Sequence, residues 1–258
     1  MEYRSCWRHG LIGNRRRFKI ASWHQVDHPF AEVAQAELSA DGLQLAIVGR
    51  LPSGASKVAV FEISGPSVLT QAKSVELADA IFVRWHPTDN EFVMLNADKQ
   101  WYRVDPEGIS HEIKSQAWDR LKHDPSSRFV SMEWLCEPTG KTSKPLWHMA
   151  VLSRTLDASR LDFISENTEL NDNIQPIVSN STITSFASAP HENVLAVGDE
   201  NGTLGIWFVA PSFDQSAREL FTLPGHRGAG VSQLSFSIDG STILSSDTSQ
   251  RTIQWRSR

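Results

Sequence analysis

The feature that most constrains this chain is that it repeats itself. An alternating run, a polar turn and a second apolar run recur as VAQAELSADGLQLAIV (33–48), AIFVRWHPTDNEFVML (80–95), ITSFASAPHENVLAV (183–197) and VSQLSFSIDGSTILS (231–245). Successive side chains of a strand point to opposite faces, so alternation makes one face apolar and marks each run as half of a hairpin. The turns hold Asp41-Gly42, Asp89-Asn90, Glu192-Asn193 and Asp239-Gly240. Gly tolerates positive φ, and Asn and Asp do so to a lesser extent, which suits tight connections.

The turns lie about 48 residues apart from Asp41 to Asp89 and about 47 from Glu192 to Asp239. The gap from Asp89 to Glu192 is roughly twice that, which leaves room for one more unit. Its candidate is RFVSMEWLCEP (128–138) with PLWHMAVLS (145–153), joined by a longer loop holding Gly140, Lys141, Thr142 and Lys144. Third strands follow at KVAVFEI (57–63), QWYRVD (100–105), SRLDFIS (159–165), TLGIWFV (203–209) and TIQWRS (252–257), and fainter fourth strands at SVELA (74–78), SHEIK (110–114), IQPIV (174–178) and ELFTL (219–223). QAWDRLKHD (116–124) reads as a loop or one helical turn. The pattern predicts an all-β propeller of about five four-stranded blades, with residues 1–16, including YRSCW (3–7), a candidate for part of a sixth. The last unit stops after its third strand, which leaves an edge to pair. RFKIASW (17–23) is the natural donor of a ring-closing strand, dividing the chain into an N-terminal arm, 1–30, and a propeller, 31–258.

Two segments carry a family resemblance. DENGTLGIW (199–207) resembles the Asp-Gly-Thr-Ile-x-x-Trp ending of a WD40 repeat, with Trp207 in register. LPGHRGAGVSQLSFSIDGSTILSSD (223–247) resembles its Gly-His opening and Ser-Pro-Asp-Gly turn, through Gly225, His226, Asp239 and Gly240. The likeness is carried by 182–258 and is faint over 33–178. In that family a His, a Ser or Thr, an Asp and a Trp form a hydrogen-bonded network within a blade. By register, Val197 and Asn201 stand where the Ser or Thr and the Asp belong. In the last unit His226 is present, Gln250 stands for the Asp, and Arg256 falls at the Trp position with Trp255 one place early. Phe61 and Val104 occupy the Trp position in the first two units. The expectation is blades kept and the network mostly replaced by apolar packing, because a half-satisfied buried network is worse than an apolar core.

Composition narrows the partners. A net charge of −5 gives no general attraction to nucleic acid or an anionic membrane. The basic run at Arg4, Arg8, Arg15, Arg16, Arg17 and Lys19 reads more simply as a solvated turn than as a phosphate-binding arm. Cys6 and Cys136 do not make a disulfide framework, and reduced thiols in a cytoplasmic protein are the simpler reading. The start, MEYRSCWRHG, lacks a secretory apolar run, no stretch approaches a membrane span, and the acceptor-type triplets at Asn180 and Asn201 matter only in a secreted protein.

Several tempting sites have simpler readings. Gly140-Lys141-Thr142 resembles the end of a phosphate loop, but Leu135 stands where its first Gly belongs and Pro145 opposes a following helix. His24 and His28 are spaced for metal only on a helix, and Pro29 and the lack of a third ligand point to a loop. His226 has no nucleophile elbow or paired base beside it, so a structural role between blades is expected. Trp85, Trp134, Trp147, Trp207 and Trp255 fall on strands, as does Trp101, where rings fill blade interfaces, while Trp7, Trp23 and Trp118 are less clearly placed.

The resemblance implies a scaffold for protein–protein contacts, and the absence of a catalytic constellation makes a non-catalytic module with no cofactor or metal the first reading. Charge and hydropathy add no nucleic-acid or membrane partner, the cysteines a cytoplasmic location, and ring closure a monomeric state. Two other readings stay open. One is a propeller enzyme with a site at the central channel, for which Asp98, Asp162 and His191 are polar residues near strand ends. The other is the C-terminal part of a longer propeller, prompted by the incomplete last unit.

Overall fold

The computed structural model describes residues 28–65, 68–75, 79–106, 108–114, 119, 126–138, 145–165, 175–210 and 216–256. Apart from Asp119, which is helical, the regular structure within them is β-strand. The first sheet is β1 (Glu32–Leu38), β2 (Gln44–Arg50), β3 (Ser56–Gly65) and β4 (Val68–Val75); the second is β5 (Ala80–Trp85), β6 (Phe92–Asn96), β7 (Trp101–Val104) and β8 (Ser110–Glu112). The third is β9 (Arg128–Glu137), β10 (Leu146–Arg154), β11 (Ser159–Ser165) and β12 (Ile177–Ser179), and the fourth is β13 (Ile183–Ser188), β14 (Val194–Asp199), β15 (Thr203–Ala210) and β16 (Ser216–Pro224). The fifth holds β17 (Val231–Phe236), β18 (Thr242–Asp247) and β19 (Thr252–Arg256). Each is an antiparallel meander in chain order. This is the propeller class expected from the repeats, including the divergent third unit.

The fourth strands differ from expectation. The first lies at Val68–Val75 and not at 74–78, and the third starts at Ile177, past the expected 174. Outer strands are weakly patterned because one edge is unpaired and, in β8 and the described part of β16, most side chains face solvent. The fifth sheet has three strands among the described residues, and the expected donor, 17–23, lies outside them, as do the basic run and Cys6.

First strands tie the sheets together at matched register. The Gln35 amide accepts from the Val83 amide at 3.1 Å and donates to its carbonyl at 2.7 Å. Arg84 donates to Met132 O through Nε and Nη2, at 3.1 and 2.9 Å. Ser188 Oγ donates to Trp134 O at 2.5 Å, and Thr184 Oγ1 to Val231 O. The partners lie roughly one repeat apart, so the five first strands run the same way, and every turn between first and second strands lies at one end.

Cores form between the sheets. Val48, Val58, Val60, Val83, Trp85 and Met94 pack between the first two sheets. Phe82, Leu95, Trp101, Trp134 and Trp147 pack between the second and third, with Phe82 edge-on to Trp101 at 6.1 Å. Leu135, Leu152, Phe163, Phe186 and Leu195 pack between the third and fourth. Between the fourth and fifth, Val231 lies so close over Gly198 that a Cβ there would stand 2.6 Å from its side chain. The strand tryptophans thus serve as interface filling, with Trp85, Trp101, Trp134 and Trp147 buried and Trp207 and Trp255 half-buried. Trp7, Trp23 and Trp118 lie outside the described residues.

Candidate functional site

The turn joining second to third strands repeats. In four sheets the fourth residue of the turn donates its N–H to the carbonyl of the first: Gly54 to Leu51 at 2.9 Å, Lys99 to Asn96 at 3.1 Å, Gly202 to Asp199 at 3.2 Å and Gln250 to Asp247 at 3.0 Å. The donor has positive φ each time, at 92°, 59°, 83° and 65°. Asp199 and Asp247 add the same side-chain cap. Asp199 Oδ1 accepts the amides of Asn201 and Thr203, and Asp247 Oδ1 those of Ser249 and Arg251.

Asp247 also faces inward. Its Oδ2 lies 3.0 Å from His226 Nδ1, His226 Nε2 lies 2.7 Å from Ser245 Oγ, and Trp255 Nε1 donates to Ser245 Oγ at 2.9 Å. The Asp247 carboxylate only accepts, so the proton sits on Nδ1; with that tautomer Nε2 accepts from the Ser245 hydroxyl, which itself accepts from the Trp255 indole N–H. His226, Ser245 and Asp247 are buried. Burial pushes the Asp247 carboxyl up, but the amide of Arg251, then His226, the Arg251 guanidinium and the Ser249 amide outweigh it and bring it down to about 2. Gly225 is required beside this network, because a Cβ there would overlap the Trp255 ring.

The last unit therefore carries the complete His–Ser–Asp–Trp network that register counting had read as broken. Counting back from Thr252 places the acid at Gln250. The fifth sheet's turn has one more residue before its Thr than the fourth's, whereas eight positions separate acid from Trp in both, Asp199 to Trp207 and Asp247 to Trp255. Gln250 instead holds the positive-φ position that Gly202 holds one sheet earlier. In the fourth sheet Asp199, and not Asn201, is the turn acid, and Val197 faces the place of Ser245, so there the network is replaced by apolar packing.

Asp239 and Gly240 sit in the turn between first and second strands. Ser237 donates Oγ–H to Asp239 Oδ1 at 2.5 Å, and Ser241 N adds 3.1 Å. These bonds hold Asp239 below the usual carboxylate range, Ser237 foremost. Asp41 is lowered in the same way by Ser39, then by the Leu43 amide. The two turns are built alike, with Gly42 at φ 72° and Gly240 at φ 71°.

The other singled-out residues do not converge. Asp98 lies in the second sheet's turn between second and third strands, at the end opposite to exposed His191 in the fourth sheet's first turn. Asp162 is buried and held by Arg160 at 2.9 and 2.8 Å. His28 is exposed, and His24 and Gly140-Lys141-Thr142 lie outside the described residues, among which no three metal-ligating side chains cluster. Sequence reading missed two charged groups, one buried and one partly buried. One is the pair His148 Nε2–Glu137 Oε2 at 2.8 Å; the other is Arg84 between Glu37 and Glu133. Nothing in either local sequence announces them, because their partners lie on different strands or different sheets.

Comparison with known proteins agrees with the fold. The family model described as WD domain, G-beta repeat (WD40) matches residues 174–207 and 217–255. Among solved structures, one chain of "Crystal Structure of Mitotic Checkpoint Complex" is similar with a TM-score of 0.52 and 15% identity, over 87% of this chain and 77% of that one. No curated protein matches the chain in sequence. No helix among the described residues is long and apolar enough to cross a membrane.

Proposed function

We propose that this chain, which carries WD40 repeats, is a non-catalytic scaffold for protein–protein contacts. The observation that carries the reading is how its best-placed polar side chains are used. His226, Ser245 and Asp247 are spent inside a blade, and Asp41 and Asp239 are spent holding turns. Beside the exposed Asp41 and Asp239, those turns also present apolar side chains to solvent: Leu43 is 58% exposed and Ile238 75% exposed, at the same end of the stack. Apolar side chains on turns fixed by their own hydrogen bonds lose little freedom when a partner covers them. The similar chain belongs to a multi-protein complex, which supports the same class of role.

The finer reading is a cytoplasmic protein with protein partners, and without a nucleic-acid or membrane partner. It is monomeric if the ring closes. Affinity capture on the full chain tests the scaffold: a protein retained reproducibly and displaced by free chain supports it, and failure to retain any protein counts against it.

A further inference from the structure

We propose that Glu37, Arg84 and Glu133 form a proton-responsive tie between the first strands of the first three sheets, strongest when one of its two carboxylates carries a proton. The tie is geometric. Arg84 on β5 reaches Glu37 on β1 with Nη1 at 3.3 Å and Glu133 on β9 with Nη2 at 2.8 Å, while Nε and Nη2 hold Met132 O. Glu37 is anchored further by the Trp85 amide at 3.3 Å and by Gln35 Nε2 at 3.1 Å, and its own carbonyl accepts from Trp85 Nε1 at 3.0 Å. One guanidinium thus serves two carboxylates that are each mostly shielded from water. With both ionised, the group carries one uncompensated negative charge where solvation is poor; with one protonated it is neutral.

Among the described residues, Arg84 and the two carboxylates are the charged side chains that act on one another here. Arg50 on β2, the strand paired with β1, lies at the far end opposite Glu32. On β9, Arg128 and Glu137 are at the two ends, and Glu137 is held by His148. β5 contributes Arg84 alone, and His86 just beyond it is turned to the amides of Thr88 and Asp89. Burial raises Glu37 from 4.5 to about 7, with Arg84 and the Trp85 amide opposing and Glu133 adding to the rise. Burial raises Glu133 as well, against Arg84. A raised carboxyl means that the folded chain keeps a proton the unfolded chain has lost. Its effect is nil below the ordinary value and becomes a loss of stability as pH rises to about 7, after which it levels.

The test is urea unfolding of the full chain from pH 5 to pH 8, beside Glu37→Gln, which mimics the protonated form, with the Glu37 Cδ chemical shift followed by NMR. The tie predicts a Glu37 midpoint well above the ordinary carboxylate range. It also predicts a wild-type urea midpoint that falls between pH 5 and pH 8, and a Glu37→Gln midpoint that changes less over that range and at pH 8 equals or exceeds wild type. A Glu37 midpoint in the ordinary range overturns the proposal. So does a Glu37→Gln chain that is weaker than wild type at pH 8 with an unchanged pH slope, because the ionised carboxylate would then be the stabilising form.

Discussion

Asp247 Oδ2 lies 3.0 Å from His226 Nδ1, both side chains buried, across 21 residues of sequence. The contact joins the loop that enters the fifth sheet to the turn between its second and third strands. The same loop is tied to the fourth sheet, since His226 N donates to Gly202 O at 3.1 Å. One histidine therefore fixes the inside of one blade and its junction with the previous one.

Removing a member of this network should be costly. Ser245→Ala leaves the Trp255 indole N–H and His226 Nε2 without their partner, and a buried group so stranded costs about 1–3 kcal/mol. Chemical denaturation of Ser245→Ala should show that loss. Val197→Ala, at the matching position of the fourth sheet, should show only the smaller cost of a trimmed apolar contact.

The acid side of the stability curve should depend on Asp247. Its folded carboxyl is held down at about 2, against an ordinary 3.8. A lowered carboxyl contributes stability that is present above the ordinary value and is lost as pH falls through the folded one. Unfolding of Asp247→Asn between pH 2 and pH 5 should show a weaker protein and a shallower acid decline than wild type. Parallel curves would contradict the assignment.

Backbone strain predicts opposite signs at two matched turns. Gln250 pays for a left-handed backbone, φ 65°, that glycine adopts freely, so Gln250→Gly should stabilise by up to about 1 kcal/mol. Gly202→Ala should do the reverse and by more, because its Cβ would also overlap the His226 carbonyl. Thermal melts of the two variants decide this.

Cys136 should be inert while the chain is folded. It is buried, and burial, then Glu137, push its thiol up. In a Cys6→Ser chain, a thiol reagent should label Cys136 fast only after denaturant is added.

Much of the fold was legible because the repeats alternate with period two and end in Asp-Gly-type turns, which is local information. Paired inner strands such as β1–β2 and β17–β18 fall where alternation put them. The outer strand β4 was misplaced because its residues carry little alternation. The network was misread for a different reason: one extra turn residue before Thr252 shifts the count, while the acid-to-Trp distance stays fixed. The Arg84 tie was invisible, since its three members lie about one repeat apart and nothing local pairs them.

The scaffold reading is tested most directly by hydrogen exchange on the full chain with and without a protein recovered by capture. It predicts slowed exchange at the turns carrying Leu43 and Ile238, 39–43 and 237–241, with a Leu43→Asp/Ile238→Asp chain that unfolds as wild type does and binds at least about tenfold more weakly. Slowing confined to the opposite end, at 51–55, 97–100 and 200–202, together with undiminished binding by that variant, would contradict it.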